Sequence, residues 1–396
     1  MRPVGPIVLA VTLVLMSAMF VLAQAPPAWK QGQPADMASS TLAPIAQPPA
    51  PKAPGEIPVD KIKVPAGFKV SLWAHGISNA RVMTWGDKGT LFVSSRVAGN
   101  LYAVTDRGGQ REVKVIAKGL NMPNGIAFKD GTLYVAEISR ITRMAGIEDQ
   151  LDSPPTMEVV YDTLPKDLPH GWKYLAFGPD GKLYFNIGAP CNICVPPDTH
   201  ANISRVNADG SGFEYVAHGV RNSVGFDWHP VSKALYFATH SRDWLGDDVP
   251  SDRLDVSTKK GQHFGFPFCH QGDILDPELG RGRSCGEFAK PLLKTGPHVA
   301  GNGVQFYTGS MFPASYKNRL FLAQRGSWNR TQKSGFRVMT ATLSQGGAPK
   351  YEVFAEGWLQ GNEIWGRPVY TQQMKDGSLL ISDDYAGAIY RVAYQR

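Results

Sequence analysis

Short runs in which apolar and polar residues alternate occur along most of the chain, and turn residues separate them. The stretch LPHGWKYLAFGPDGKLYFNIG at 168–188 contains two such runs, at 175–177 and at 183–187, with Pro-Asp-Gly at 179–181 between them. Alternation with a period of two predicts a strand, and a Gly-containing turn between two strands predicts a hairpin. The stretch therefore predicts a β-hairpin, with His170 just before its first strand.

The same hairpin recurs in six units, which begin at residues 83, 124, 175, 224, 302 and 368. Each unit has an apolar strand, a turn, a strand reading Leu-aromatic-Val or similar, and usually a third strand with Tyr or Arg. One sheet of this kind cannot bury both of its faces, whereas six sheets around an axis bury one another. Helical periodicity is nearly absent. The pattern predicts an all-β fold, a six-bladed β-propeller over residues 59–396; a pair of β-sandwiches would not explain six similar units.

The first 58 residues have a different character. Arg2, an apolar segment at 7–22 and Ala-Gln-Ala at 23–25 predict a signal peptide over 1–25, and hence a periplasmic or secreted protein. The apolar segment is long for a signal and short for a membrane span, so an uncleaved anchor is the alternative. Residues 26–58 are rich in Pro, Ala and Gln without periodicity, which predicts a disordered tether of polyproline character.

Composition and charge exclude some classes of protein. With 43% hydrophobic and 19% charged residues, the chain suits a globular core and not wholesale disorder. The net charge of +7 is spread along the chain without a run of five basic residues, so no nucleic-acid-binding stripe is expected.

Four cysteines, at 191, 194, 269 and 285, predict two disulfides in an exported chain. Pairing of neighbours, Cys191 with Cys194 and Cys269 with Cys285, is the simplest of the three connectivities. Covalent haem attachment at CNIC is excluded because no His follows Cys194 directly. A zinc site with four cysteine ligands is excluded because the second pair is too widely spaced.

Polar residues stand where several of the repeats enter their first strand. His170 precedes the third unit, Arg221-Asn222 the fourth, Asn302 lies at the entry to the fifth, and Arg367 precedes the sixth. Loops at one end of propeller blades converge on the central channel. If the blades are equivalent, these side chains face one another across one mouth of the channel.

Such a mouth would be cationic. Two arginines favour an anionic ligand, best a polycarboxylate or a phosphate, because a guanidinium binds these groups in a bidentate manner. A histidine opposite a bound anion suits a general base. The alternatives are that His170 is a turn or core residue, and that Arg221 and Arg367 are ion-pair partners of acids such as Asp383 or Asp384.

Several motifs resemble the soluble pyrroloquinoline quinone (PQQ) sugar dehydrogenases, and most closely their sorbosone-dehydrogenase-like branch. They are HGWKYLAFGPDGKLYFNIG, CNIC, GVRNSVGFDWHP, RDWLGDD, FYTG, GSWNR and DGSLLISDDYAGAIYRV. The resemblance covers about residues 60–396 and falls in all six units. GVRNSVGFDWHP followed by RDWLGDD is its most specific part, because Asp-Gly hairpins are common in propellers.

The resemblance implies a cofactor and a mechanism. In that family PQQ, a tricarboxylated ortho-quinone, lies over the channel mouth with Ca²⁺, and a histidine removes the sugar hydroxyl proton while hydride passes to the C5 carbonyl of PQQ. By resemblance His170 is the base, Arg221 and Asn222 contact PQQ, and Arg367 faces a PQQ carboxylate. A nicotinamide cofactor is disfavoured because no G-x-G-x-x-G follows a strand.

The resemblance also implies that Ca²⁺ is held by the main-chain carbonyls of Ser241 and Arg242 together with PQQ atoms. The chain departs from the family at this point, because Thr-His-Ser at 239–241 stands where related chains usually read Asp-Asn-Gly. His240 is a further candidate for contact with the cofactor. Arg325 stands before GSWNR where the family tends to have His, and it keeps a cation near the anionic cofactor.

Three functions are compatible with these features. The first is a periplasmic PQQ-dependent dehydrogenase that oxidises an aldose or a sorbosone-like sugar aldehyde and passes electrons to an external acceptor such as a quinone or cytochrome. The second is a calcium-dependent lactonase-type hydrolase, which shares the architecture but needs side-chain acids on Ca²⁺ that are missing from the strand-entry positions. The third is a non-catalytic binding propeller in which the PQQ site has decayed, as the changes at 239–241 would allow.

Overall fold

A computed structural model describes residues 45–343 and 349–395. The expected signal peptide at 1–25 and the first part of the expected tether lie outside these residues. Within the described ranges no helix has the length and apolar character needed to cross a membrane. The described helices are single 3₁₀ turns, at Pro54–Glu56, Val59–Lys61, Ile147–Asp149, Cys285–Glu287 and Ala314–Tyr316.

Nearly all regular structure is β. The strands, in chain order, are β1 Phe68–His75, β2 Met83–Trp85, β3 Leu91–Ser94, β4 Leu101–Arg107, β5 Gln110–Ala117, β6 Gly125–Lys129, β7 Thr132–Ala136, β8 Ile141–Ala145, β9 Glu158–Tyr161, β10 Leu175–Phe177, β11 Leu183–Ile187, β12 Asn202–Val206, β13 Glu214–His218, β14 Phe226–Trp228, β15 Leu235–Thr239, β16 Ser251–Ser257, β17 Gln262–His263, β18 Cys269–His270, β19 Ile274–Leu275, β20 Leu293–Pro297, β21 Gly301–Phe306, β22 Leu320–Gln324, β23 Arg337–Thr342, β24 Lys350–Ala355, β25 Leu359–Gln360, β26 Glu363–Ile364, β27 Pro368–Gln373, β28 Leu379–Asp383 and β29 Ala388–Tyr394.

These strands form six antiparallel blades, which confirms the predicted propeller. Blades one to six are β2–β5, β6–β9, β10–β13, β14–β16 with β20, β21–β24, and β27–β29 with β1. In the third blade β17 adds a short parallel strand to the outer edge, and two small hairpins, β18–β19 and β25–β26, lie in the connections. The sixth blade closes the ring, because β1 from the beginning of the described chain pairs with β29 from its end, with Phe68 opposite Tyr394.

The hairpin predicted at 168–188 is confirmed. β10 and β11 pair in antiparallel register with Leu175 opposite Phe185. Gly181 in the turn has a φ of +76°, a left-handed conformation that favours glycine.

The six second strands show that the repeats are equivalent. In each strand the residue two positions after a leucine is completely buried between neighbouring blades, and these residues are Val93, Val135, Phe185, Phe237, Leu322 and Ile381. Burial of such a side chain contributes about 1.5–3 kcal/mol. The alternation of apolar and polar residues in the sequence therefore corresponds to one buried position in the second strand of each of the six blades.

Both predicted disulfides are present, Cys191–Cys194 and Cys269–Cys285. The second lies in the long insertion between β16 and β20. Within this insertion Asp276 accepts from Arg242 Nη1 at 2.6 Å and lies 2.7 Å from His270 Nε2. The insertion thereby holds the loop that follows β15, which is one of the loops at the channel mouth.

The end of the expected tether packs against the propeller. The Lys52 amide donates to the carbonyl of Ala386 at 2.9 Å, and Ile57 is buried in the cluster between the fifth and sixth blades. Residues 45–58 therefore follow a defined path on the propeller, which differs from the disordered tether expected over 26–58.

Candidate active site at the channel mouth

A cavity of about 310 Å³ lies at one mouth of the channel. His170, Arg221, Asn222, Asn302 and Arg367 all line it, as the register of the repeats predicted. Of the other candidates, His240, Ser241 and Arg325 line the cavity, whereas Arg242 does not. The structure thus brings together side chains that are up to about two hundred positions apart in sequence.

His170 is held in a defined orientation and tautomer. Its backbone has a φ of +49°, which is uncommon for a residue other than glycine and is typical of functional positions. Its Nδ1 lies 2.8 Å from the carbonyl oxygen of Ala189. A carbonyl only accepts, so Nδ1 carries the proton and Nε2 keeps a lone pair. A Cβ on Gly188 would lie 2.5 Å from the Cβ of His170, so only glycine fits there.

The surroundings keep this imidazole neutral. Burial and then the charge of Arg221 lower the pKa of His170 well below 6.5, with a smaller effect of His240 in the same direction. The hydrogen bond to Ala189 opposes the shift without reversing it. At neutral pH the side chain is therefore in the form that accepts a proton.

Three arginines surround one buried carboxylate beside the cavity. Asp384 Oδ2 accepts from Arg81 Nη1 at 2.7 Å and from Arg325 Nε at 3.0 Å, and Oδ1 accepts from Arg367 Nε. Burial would raise the pKa of Asp384, but the charges of Arg325, Arg367 and Arg81 outweigh it and hold the pKa far below its usual range. The predicted alternative for Arg367, an ion pair with Asp384, is therefore correct, and Arg367 also lines the cavity.

Arg96 adds a fourth cation to this wall. Its guanidinium lies 4.4 Å from the ring centroid of Trp172, and its Nε has no hydrogen-bond partner among the described residues. Burial, and then the charges of Arg81 and Arg325, lower the pKa of Arg96 well below its ordinary value. Burial and Arg367 also lower the pKa of Arg325, to about 10. Four guanidinium groups lie in this wall and three of them pair with its carboxylate, Asp384, so the wall favours an anion.

Arg221 and His240 line the cavity but already have protein partners. Arg221 donates to the carbonyl and to the side chain of Asn192, to the carbonyl of Ser241 and to Asp243 Oδ2, at 2.8–3.0 Å. His240 Nε2 donates to the carbonyl of Gly301 at 2.8 Å, and its Nδ1 accepts from Asn222 at 3.2 Å. Both residues therefore position the loops around the cavity, whatever contact they make with a ligand.

The cavity retains polar atoms without partners. The Oδ1 atoms of Asn222, Asn302 and Asn329 are buried and accept no hydrogen bond from any described residue, and Arg96 Nε donates none. Buried polar groups are normally satisfied, so atoms left without partners around one cavity indicate a polar ligand. A tricarboxylated quinone offers carboxylates to the arginines, and its ring N–H can donate to one of the amide oxygens. The residues present therefore fit PQQ.

The two residues predicted to hold calcium through their main-chain carbonyls differ in their surroundings. The Ser241 carbonyl faces the guanidinium of Arg221, and the side chain of Arg242 points away to Asp276 and Glu278. No group of three or more His, Cys, Asp or Glu side chains in the described ranges is placed to hold a metal ion. A calcium ion here would be held by main-chain oxygens together with oxygen atoms from water or a bound cofactor.

The sequence prediction missed several residues of the site. Arg81 and Arg96 complete the cationic wall, and Asp252 and His298 also line the cavity. Arg81 could have been found by the register already used, because it stands two positions before the first strand of the first blade. Asp252 and His298 gave no such signal, because they lie inside or after strands of an irregular fourth blade.

The fold and the site define a class of protein, a six-bladed propeller whose channel mouth holds a cationic cavity lined by the neutral imidazole of His170. The family model for glucose/sorbosone dehydrogenases matches residues 129–327. An uncharacterized protein of Borreliella burgdorferi is 33% identical over 352 residues, which are 85% of this chain and 91% of that protein. The chain belongs to the glucose/sorbosone dehydrogenase family, a family of sugar oxidoreductases.

Solved structures share the architecture. The holo form of the PQQ domain of pyranose dehydrogenase from Coprinopsis cinerea superposes with a TM-score of 0.70 at 16% identity, over 89% of this chain and all of that one. The PQQ-bound aldose sugar dehydrogenase of Streptomyces coelicolor gives 0.61 at 19% identity, over 84% of this chain and 99% of that one. At these identities the likeness establishes the fold.

Proposed function

We propose that this protein is a PQQ-dependent dehydrogenase that oxidises an aldose or a sorbosone-like sugar aldehyde. The observation that carries the proposal is the neutral His170, whose Nε2 is free to accept a proton in the same cavity as a wall of four arginines. Two similar propellers are named as PQQ-containing proteins, which supports the choice of cofactor.

The residues of the cavity have separate tasks. Arg96, Arg325 and Arg367 would hold the carboxylates of PQQ, and the amide oxygens of Asn222 and Asn302 would orient its polar edge. When bound, PQQ supplies a quinone that would accept the two electrons of the substrate as a hydride. His170 Nε2 takes the proton of the sugar hydroxyl, and the Ala189 carbonyl stabilises the resulting imidazolium through Nδ1–H. The buried position of His170 keeps bulk water from competing for that proton.

We propose that calcium binds only when the cofactor is also bound. The Ser241 carbonyl is the one predicted ligand that lines the cavity, and it already accepts from Arg221. We therefore assign the expected calcium to a site completed by PQQ atoms, and no step above depends on it.

The electrons must leave the reduced cofactor, so an external acceptor such as a quinone or a cytochrome is part of the proposal. The signal peptide predicted at 1–25 further leads us to propose that the protein acts in the periplasm or outside the cell. Fractionation of producing cells, with dye-linked activity measured in each fraction, tests the location.

Reconstitution tests the function. Purified protein is mixed with PQQ, with and without Ca²⁺, and its absorption spectrum is recorded before and after an aldose is added. Reduction of bound PQQ and of an artificial dye by the sugar supports the dehydrogenase. Lactone cleavage without PQQ would instead establish the hydrolase, and failure to bind PQQ would leave a binding propeller.

A further inference from the structure

Residues 45–49, Ile-Ala-Gln-Pro-Pro, line the cavity together with the blade loops. We call this segment the N-terminal wall. Ile45 is 39% exposed and Pro48 is half-buried, so the segment has solvent on one side and the cavity on the other. It belongs to the stretch that the sequence predicted to be a disordered tether, and in the structure it forms part of the cavity lining.

The N-terminal wall is attached to the turn that follows β28. This turn carries Asp384, the carboxylate shared by three arginines. The Lys52 amide donates to Ala386, and Pro51 packs so closely on Gly387 that a Cβ there would lie 2.8 Å from the proline Cβ. Lys52 Nζ also lies 5.8 Å from the ring centroid of Tyr385, a residue of the cavity lining that follows Asp384. These contacts of Pro51 and Lys52 fix the position of the segment relative to residues 385–387.

The composition of the N-terminal wall suits a rigid surface. Adjacent prolines fix φ and favour an extended polyproline path, which costs little entropy to hold in place. The remaining side chains are small or apolar except for Gln47. The half-buried rings of Trp172 and Trp328, together with Tyr385, line the same cavity, so part of its lining is apolar and aromatic.

The size of the cavity determines which part of a bound ligand contacts the N-terminal wall. At about 310 Å³ it lies at the small end of ligand pockets, which span roughly 300–1,000 Å³. A tricyclic cofactor held by the arginines would occupy most of this space. The substrate must then lie between the cofactor and the outer rim, against the N-terminal wall and the aromatic rings.

We propose that the N-terminal wall determines substrate size and restricts the site to a single sugar ring. The inference rests on the proposed sugar dehydrogenase function and deepens it. A second ring attached to the substrate would have to pass through the space that Ile45 to Pro49 occupy.

The test loosens the wall in the full-length chain. Pro48→Gly/Pro49→Gly removes the stiffness, and Pro54→Gly, an exposed proline outside the cavity, is the matched control. The reconstituted proteins are compared for kcat/KM with an aldohexose and with a reducing disaccharide of the same sugar. We expect the double variant to gain about tenfold for the disaccharide relative to the aldohexose, as for the loss of a steric contact in a pocket, and the control to keep the wild-type ratio.

A second readout needs neither cofactor nor activity. Acrylamide quenching of tryptophan fluorescence in the apo-protein should increase in the double variant, because Trp172 and Trp328 line the same cavity as the wall and should become more accessible when it loosens. The increase should disappear when both tryptophans are replaced by phenylalanine.

The outcomes distinguish a failure of the proposed role of the N-terminal wall from a failure of the proposed dehydrogenase function. An unchanged sugar ratio in an active double variant overturns the proposal. An equal gain for both sugars with tighter PQQ binding also overturns it, because the segment would then act as a plug of the cofactor site. If neither the wild type nor any variant oxidises a sugar, the proposed dehydrogenase function is wrong. If tryptophan quenching is also unchanged in the double variant, the proposed role of the N-terminal wall is wrong as well.

Discussion

The Nδ1 atom of His170 lies 2.8 Å from the carbonyl oxygen of Ala189, and this contact sets the chemistry of the cavity. The contact assigns the proton to Nδ1 and leaves Nε2 as the base. Ala189 is itself held by a hydrogen bond from its amide to the carbonyl of Arg221 at 2.7 Å. The orientation of the base is therefore coupled to the strand-entry loop of the next blade.

His170→Ala should bind PQQ as the wild type does and lose activity by about 10²–10⁴-fold, the usual contribution of a general base. The side chain makes one hydrogen bond to a main-chain carbonyl, so its removal leaves the cationic wall intact. Steady-state dye reduction gives the loss, and a spectroscopic PQQ titration gives the affinity. His75→Ala, on the exposed side of β1, is the control. Turnover at the wild-type rate would remove His170 from the mechanism.

The acidic limb of the pH–rate profile should lie below pH 6.5. The pKa of His170 is lowered by burial and by Arg221, so the base stays neutral until the pH falls well below the ordinary value. Activity is then retained through pH 6.5 and lost as the pH falls through the lowered pKa. The profile of kcat/KM against pH reports this group in the free holoenzyme. A midpoint at or above 6.5 would contradict the assignment.

The register of the repeats explains why so much of the site could be predicted. His170, Arg221, Asn302 and Arg367 stand where four blades begin, from five residues before the first strand to its second residue, so finding the repeat was enough to place them at one mouth. Arg81 follows the same rule in the first blade.

What could not be predicted depends on contacts between blades. That three arginines share Asp384 follows from packing of the first, fifth and sixth blades, which no local pattern encodes. The order in residues 45–58 was missed for a related reason. A proline-rich segment has no periodicity of its own, and its path is set by the surface on which it lies.

Arg96→Met should weaken PQQ binding while preserving or raising the stability of the apo-protein. Arg96 is buried and has no acidic partner among the described residues, so its removal unpairs no carboxylate. A charge-assisted hydrogen bond to PQQ is worth about 1.5–3 kcal/mol, which corresponds to about 10–100-fold in affinity. Calorimetric titration measures the affinity and urea unfolding the stability. The exposed Arg107→Met is the control. Unchanged affinity would place the cofactor away from this wall.

Asp384→Asn should destabilise the apo-protein by about 3–5 kcal/mol, because it leaves Arg81, Arg325 and Arg367 without the carboxylate that they share. Urea unfolding measures the loss. Asp376→Asn, which breaks the exposed pair with Arg391 in the same blade, should cost about 1 kcal/mol or less.

The bound cofactor should offset part of the loss in Asp384→Asn, because its carboxylates neutralise the same guanidinium groups. The increase in unfolding midpoint on adding PQQ should therefore be larger for this variant than for the wild type. Equal increases in the two proteins would show that PQQ does not contact the cluster.

Calcium alone should leave the unfolding midpoint of the apo-protein unchanged, whereas calcium added with PQQ should raise it above the value with PQQ. The physical reason lies at Ser241, whose carbonyl already accepts from Arg221 at 2.8 Å. A divalent cation approaching this carbonyl is repelled by the guanidinium until the anionic cofactor supplies charge and further oxygen ligands. Mg²⁺ at the same concentration is the control for ionic strength, because its small octahedral shell suits such a site poorly. A stabilising effect of calcium in the absence of PQQ would show a metal site formed by the chain itself, contrary to this assignment.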